Sequence, residues 1–341
     1  MTWFQRLTGI DEQSPNQVRD QLSVAADCIV CPDGKRLAFG RLETPTLADL
    51  RQSIAKLQVD PQRSTIREVV GDARAIHADP ANAGAFFQVA SQFNLLEMTG
   101  PAVTPERGVG IYEHDPTQGP ACAIACGAGT IYRNYFADVD GQIGQTADKQ
   151  IDCSADLGRR LGNVDQRLWT VQNGYLFPSD DGLAEITKAI RSADETEREE
   201  LMGHLRIGLQ LGAEVTLDEA QVNGVGHRVS QAYCSALPVA YGSQPTQQWA
   251  PFAKLILGAA YEATLAAAVI DGNPSGNRVV YLTMIGGGVF GNSDEWIAGA
   301  IDLAFRKHAH HGLDIRIVSY GQSKPAVAEL ARRINDLPGS V

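Results

Sequence analysis

Val279-Val280-Tyr281-Leu282-Thr283-Met284-Ile285-Gly286-Gly287-Gly288-Val289-Phe290-Gly291-Asn292 is a run of β-formers that stops in a glycine-rich turn. Val279 to Ile285 reads as a strand. Asp294 to Ala309 reads as a helix, because Ile297, Ala300, Ile301 and Ala304 recur on one face at helical spacing. Leu313 to Tyr320 supplies the next strand. Upstream, Val229 to Val239 reads as a strand and Trp249 to Ile270 as an Ala-rich helix. Strand, helix, strand, helix, strand in that order predicts an α/β layered domain with a mostly parallel sheet. The turn itself is built for close backbone approach. Asn292, with Glu295 three places on, has the pattern of a capping box, and free amides at that helix start suit a phosphate or diphosphate. Asp294 and Glu295 in the first turn slightly oppose an anion there.

Towards the N-terminus, Thr65 to Asp72 reads as a strand that stops at Gly71-Asp72, and Ala85 to Ala90 as a second, buried strand, with Asp79-Pro80 and Gly84 between them. Glu97 to Gly119 carries Pro101, Pro105, Gly108, Gly110 and Pro116, a long loop of the kind that is kept for a use. Residues 1–64 read as an N-terminal extension with a hairpin near Cys28 to Arg41 and a helix from Leu47 to Leu57. Residues from about 137 to 226 read as an internal insertion. It holds a strand at Leu168 to Val171 ending at Asn173-Gly174, and helices at Asp181 to Ala193 and Glu195 to Leu211. The core domain then spans 65–325, and 326–341 form a C-terminal tail.

The chain has 341 residues, 44% apolar and 20% charged, enough for a sizeable core. Forty acidic residues against 29 basic ones give a formal charge of −11, so neither duplex nucleic acid nor an anionic membrane is expected as a partner. Leu255 to Ile270 is interrupted by Glu262 and falls short of the roughly 20 apolar residues of a spanning helix. The start, Met1-Thr2-Trp3-Phe4-Gln5-Arg6, lacks a basic segment leading into an apolar run, and a cytoplasmic location is expected. Six cysteines without regular spacing predict reduced thiols, and Cys28-Ile29-Val30-Cys31 leads into a Pro32-Asp33-Gly34 turn, as a hairpin strand would. His308, His310 and His311 read as favourable charges at a helix end before Gly312. No metal or cofactor is expected.

Gly286 to Gly291 satisfies G-x-G-x-x-G, which raises a nucleotide-dependent oxidoreductase as a reading. Only fifty residues follow Gly291, and the next strand ends in Ser319-Tyr320-Gly321, without the acid that holds a ribose. A Walker loop would end in Gly-Lys-Ser/Thr, which is absent here. Ser91 and Ser235 have no evident His partner for serine hydrolysis.

Three loops taken together carry a resemblance. Gly71-Asp72-Ala73-Arg74 resembles the Gly-Asp-Ile-Thr element of macrodomains, and Val89-Ala90-Ser91-Gln92-Phe93-Asn94 resembles their next strand and its terminal Asn-Ala-Ala-Asn. Ile285 to Gly291 resembles their second phosphate loop. Gln88 to Glu97 and Thr117 to Ala125 are similar to a divergent branch, the arginine-specific macrodomain hydrolases that remove ADP-ribose from proteins. The fold this implies is a three-layer α/β/α macrodomain-like mixed sheet. The activity it implies is ADP-ribosyl hydrolysis, with ADP-ribose or an ADP-ribosylated protein as partner and arginine as the linked side chain. A module of the same fold that binds ADP-ribose or a related nucleotide without chemistry is the alternative.

The resemblance assigns Asp72, with Ala73, to the adenine; the amides of Gly286, Gly287, Gly288, Val289, Phe290, Gly291 and Asn292 to the diphosphate; and Phe290 to the distal ribose. Asn94 would meet the ribose hydroxyls, with Gln92 on the same strand face. Hydrolysis of a glycosidic link needs a carboxylate beside the anomeric carbon, and Asp115, Glu106 and Glu97 are the candidates, Asp115 first because His114-Asp115-Pro116 is a rigid turn. Where macrodomains usually have a glycine-rich loop after the Asn, this chain has Leu95-Leu96-Glu97-Met98-Thr99-Gly100-Pro101.

Overall fold

The computed structural model describes residues 1–336 apart from 59, 218–220 and 223–224. Its central sheet has seven strands: β1 (Arg41–Glu43), β2 (Thr65–Val70), β3 (Phe86–Ala90), β4 (Gly208–Glu214), β5 (Arg228–Cys234), β6 (Val279–Leu282) and β7 (Asp314–Ser319), in the spatial order β1-β4-β5-β3-β6-β7-β2. β5, β3, β6, β7 and β2 are successively parallel. β4 runs antiparallel to both β5 and β1. The mixed sheet expected from sequence is therefore present.

Both faces of the parallel strands are covered, as such sheets require. On one side lie the long helix Thr246–Ser275, Asp294–Lys307, Leu47–Ala55 and Asp180–Ser192, packed through Trp249, Phe252, Ile256, Ile297 and Ile301. On the other lie Gln118–Ala125, Gly127–Tyr135 and the first helix, Trp3–Thr8, packed through Trp3, Phe4, Ile124, Ile131 and Tyr135. The apolar segment weighed against a membrane span is a core helix here: 89% of the most apolar stretch of Thr246–Gly272 is buried within the protein. All six cysteines are unpaired and buried.

β1 comes from the expected extension and β4 from the expected insertion, so both are woven into the sheet. The helix expected over Glu195 to Leu211 stops at Gly203, and β4 takes its second half. Two glycines explain the change. A Cβ at Gly208 would stand 2.5 Å from the Leu95 side chain, and Gly212, at φ +67°, absorbs a register shift between Gln210 and Ala213. The tail also folds, as helix Pro325–Asn335, burying Val327, Leu330, Ala331 and Ile334; residues 337–341 of that tail lie outside the described residues, as do 218–220 and 223–224 of the expected insertion. The hairpin near Cys28 forms, as the antiparallel strands Ser23–Ala25, Cys28–Val30 and Arg36–Ala38. His308 departs from expectation: both ring nitrogens are buried without a partner, and burial lowers its pKa to about 4, so it carries no charge to the helix end at neutral pH.

Candidate functional site

Parallel strands end at the same edge of a sheet, and ligands of open α/β sheets bind there. At that edge a cavity of about 290 Å³ is lined by Ser91 after β3, Ala236 after β5, Thr283 after β6 and Tyr320 after β7. Gly286, Gly288, Val289 and Phe290 line it from the glycine loop, and Gln92, Glu97, Met98 and Thr99 from the segment after β3.

The glycine loop is shaped by its own hydrogen bonds. Gly287 N donates to Met284 O (3.1 Å), Gly291 N to Gly288 O (3.1 Å) and Asn292 N to Gly286 O (2.9 Å). The amides of Gly286, Gly288, Val289 and Phe290 donate to no protein acceptor among the described residues, and all four residues border the cavity. Unpaired main-chain donors clustered beside a cavity are the arrangement that holds phosphate oxygens. It also corrects the expectation for Gly287, Gly291 and Asn292, whose amides are committed within the loop. The helix cap differs too: Ser293, not Asn292, caps Asp294–Lys307 by accepting from Glu295 N (3.3 Å). The buried Asn292 instead donates through Nδ2 to Leu237 O (2.8 Å) and Gly286 O (3.2 Å), tying the glycine loop to the segment after β5.

After β3 the chain makes a tight reversal over residues 91–98. Leu95 sits at φ +66°, and its carbonyl accepts from Arg133 Nε (3.0 Å). Gln92 Nε2 donates to Met98 O and its Oε1 accepts from Met98 N, both at 3.0 Å, so the side chain spans the loop's two ends. Between them Glu97 is turned inward. Its amide donates to the Tyr112 hydroxyl (3.0 Å), both carboxyl oxygens are buried with no hydrogen-bond partner, and the residue lines the cavity. Burial drives its pKa up to about 8, against a smaller downward pull from Arg133. At neutral pH the group is a carboxylic acid, and a proton donor.

That displacement has a stability signature. The folded protein holds the Glu97 proton more tightly than the unfolded chain does, so the stability it supplies is complete below pH 4.5, declines as pH rises and is gone above about 8. At 1.36 kcal/mol per unit the whole effect is about 5 kcal/mol. Glu97→Gln should remove this slope, leaving the variant more stable than wild type at pH 8.5. Urea unfolding of both proteins at pH 5.5 and 8.5 checks it; parallel pH dependence in the two would refute the assignment.

Two tyrosine rings pack against Phe290 of the glycine loop. Phe290 lies 5.3 Å from Tyr175 and 5.8 Å from Tyr241, and the two tyrosines are 5.5 Å apart, centroid to centroid. Tyr175 is fixed by donating to Met98 O (2.9 Å). It lies on the hairpin Trp169–Gln172 with Tyr175–Pro178, which turns at Asn173-Gly174. Lys324 brings a cation to the rim beside Tyr320.

Of the expected carboxylates, Glu97 and Asp115 are brought to the same cavity. Asp115 is half-buried near the mouth and accepts from Thr117 N (2.8 Å). Glu106 is not: it is exposed, binds Ala147 N (2.7 Å) and borders a separate groove with Arg107 and His114. Asn94 is fully buried away from the cavity. Its Oδ1 accepts from Leu96 N (3.1 Å) and its Nδ2 donates to Gln150 (2.8 Å), so its amide shapes the loop and is not open to a ribose. Asp72 caps helix Ala73–Ala78 by accepting from Arg74 N (2.7 Å). Ala73 N donates to Gln118 Oε1 (2.8 Å), which puts Asp72 and Ala73 one side chain behind the cavity wall, at the same sheet edge as the glycine loop. Gln118, Tyr175, Tyr241, Tyr320 and Lys324 were not singled out from sequence. The Asn-Gly turn before Tyr175 was the available signal. Among the described residues no three His, Cys, Asp or Glu side chains converge as a metal site.

No protein-family model matches the sequence, and no curated protein matches it. Solved structures do match. The poly(ADP-ribose) glycohydrolase of Thermomonospora curvata bound to the inhibitor ADP-HPD is 13% identical, with a TM-score of 0.42 over 94% of this chain and 96% of that one. The poly(ADP-ribose) glycohydrolase of Deinococcus radiodurans, in complex with ADP-ribose, is 12% identical, with a TM-score of 0.41 over 86% of this chain and 92% of that one. At this degree of superposition the likeness shows neither family nor activity.

Proposed function

We propose that the protein is an ADP-ribosyl hydrolase that cleaves the glycosidic link between ADP-ribose and a side chain, with arginine as the linked residue. The observation that carries this reading is Glu97: a buried carboxyl without a hydrogen-bond partner, on a residue lining a cavity whose wall offers free main-chain amides. The diphosphate lies against Gly286, Gly288, Val289 and Phe290, and the aromatic wall of Tyr175, Tyr241 and Phe290 covers the ribose. The adenine end runs towards Gln118 and Tyr320, with Asp72 and Ala73 behind.

In this pose the anomeric carbon meets Glu97. The acid gives its proton to the departing nitrogen as the C–N bond breaks, and positive charge grows on the ribose. The carboxylate so formed takes a proton from water as the water oxygen bonds to the anomeric carbon, which restores the acid and yields ADP-ribose and the free side chain. One group serves as acid and then as base.

Asp115, near the mouth, faces the part of the substrate that leaves and favours a cationic guanidinium there. Asp115→Asn should raise KM for an arginine-linked substrate about fivefold with kcat held, the size of a partly exposed charge contact near 1 kcal/mol. Steady-state rates on ADP-ribosylated arginine protein and on a neutral O-linked substrate check this; an equal change on both sinks the arginine preference. The overall reading is tested by calorimetric titration with ADP-ribose together with release of ADP-ribose from an ADP-ribosylated protein. Binding without release identifies a non-catalytic module, and no binding ends the proposal.

A further inference from the structure

The N-terminal segment never reaches the cavity, yet it is tied to the loop behind Glu97. Glu12 extends its carboxylate to Val109 N (2.8 Å) and Gly110 N (2.6 Å), and receives the Tyr135 hydroxyl (2.6 Å). The two glycines make room for it. Gly108 has φ +86°, and a Cβ at either Gly108 or Gly110 would lie 2.6 Å from the Glu12 carboxyl. The Val109 and Gly110 amides thus form a main-chain anion site filled from within the protein. Trp3 adds to the grip, its Nε1 donating to Val109 O (2.9 Å) and its amide to Glu113 (2.9 Å).

The secured loop continues into the turn Gly110–His114, which carries Tyr112, fully buried, to the Glu97 amide at 3.0 Å. A second route leaves from the same carboxylate. Tyr135 ends the helix Gly127–Tyr135, and two residues earlier Arg133 donates to the Leu95 carbonyl, at the positive-φ residue of the reversal. Glu12 therefore reaches both sides of the Glu97 loop from outside the cavity.

We infer that Glu12 is a positioning residue for the Glu97 carboxyl, acting through Val109 and Gly110 on Tyr112 and through Tyr135 on the helix that holds Leu95. This rests on the proposed role of Glu97 but is measurable without turnover. The titratable groups facing Glu97 are Arg133 from the helix, Tyr112 from the secured loop, Tyr233 from β5 and Cys122 from Gln118–Ala125; Glu12 itself faces Tyr135 and Tyr112. Loosening Tyr112 admits water to a carboxyl that is held protonated by burial, so its titration midpoint should fall.

The experiment uses the full chain in three forms, Glu12→Gln, Tyr112→Phe and the double variant, with the Glu97 carboxyl followed by carbon NMR in the absence of substrate. Each single change should lower the midpoint by about one unit from about 8. The double variant should fall no further than Glu12→Gln alone, because Tyr112→Phe breaks one of the two links that Glu12→Gln already loosens. ADP-ribose affinity should stay within about twofold, and kcat should drop about tenfold or more from the displaced acid. Tyr112→Phe keeps the ring packing, so it tests the link even where Glu12→Gln is poorly folded. An unmoved midpoint in both single variants, or shifts that add in the double, overturns the inference. Absent hydrolysis in wild type would sink the enzymatic reading and leave the titration result to decide this one.

Discussion

Glu97→Gln is expected to lower ADP-ribose release by about 100- to 10,000-fold, the span that a positioned proton donor and acceptor contributes. ADP-ribose affinity should stay within about twofold of wild type. The two halves of this prediction follow from one fact. At pH 7 the buried Glu97 is already a neutral acid, with its pKa raised to about 8 by desolvation, so Gln reproduces its charge and shape and removes only the transferable proton. The wild-type rate should be flat below pH 8 and fall above it as the acid ionises, and the residual rate of the variant should lack that basic limb. Glu106→Gln is the internal control: Glu106 binds Ala147 N outside the cavity and should leave the rate unchanged. Stopped assays of ADP-ribose released from an arginine-linked substrate decide the matter. A Glu97→Gln variant that retains wild-type turnover would move the chemistry to Asp115, which sequence reasoning ranked first.

That ranking shows where sequence stops being informative. Glu97, Glu106 and Asp115 are all carboxylates in one proline- and glycine-rich stretch, and what separates them is burial, a property of the whole fold. Glu97 is turned inward because Leu95 takes a left-handed conformation, its carbonyl is pinned by Arg133, and Tyr112 receives the next amide but one. The partners come from a helix 38 residues on and a turn 15 residues on, and no local pattern announces them. The glycine loop was legible for the opposite reason: its signal is local, a strand of β-formers followed by Gly286 to Gly291 and an amphipathic helix. Even there, which amides remain free was settled by the loop's own hydrogen bonds and by Asn292 reaching across to Leu237. Residues 208–211 of the strand Gly208–Glu214 lie within the helix expected over Glu195 to Leu211. Pairing with β5 and β1, and the fit of Gly208 under Leu95, override that expectation. Tyr175 stayed hidden for a similar reason: the strand before it and the Asn173-Gly174 turn were legible, but its approach to Phe290 is tertiary.

Two substitutions in the glycine loop should separate folding from binding. Gly288 has nothing within 4 Å of where a Cβ would stand, whereas Gly286, at φ +75°, would place one 2.4 Å from the Ala236 side chain. Gly288→Leu should therefore leave the thermal midpoint within a degree or two, since a surface change away from strained backbone costs about 0.5 kcal/mol or less. Yet it fills the space in front of the free amides of Gly288, Val289 and Phe290, the place assigned to the diphosphate. Each hydrogen bond to a charged oxygen contributes about 1.5–3 kcal/mol, so losing two weakens ADP-ribose binding by about 100-fold or more. Gly286→Val should do both kinds of harm, because a branched side chain at positive φ beside Ala236 forces the loop and its tie to Leu237 apart, at a cost of a few kcal/mol in stability. Paired thermal melts and ADP-ribose titrations of the two variants measure the contrast. If Gly288→Leu binds ADP-ribose as wild type does, the diphosphate does not lie on this loop, and the cavity must be read from the Lys324 side instead.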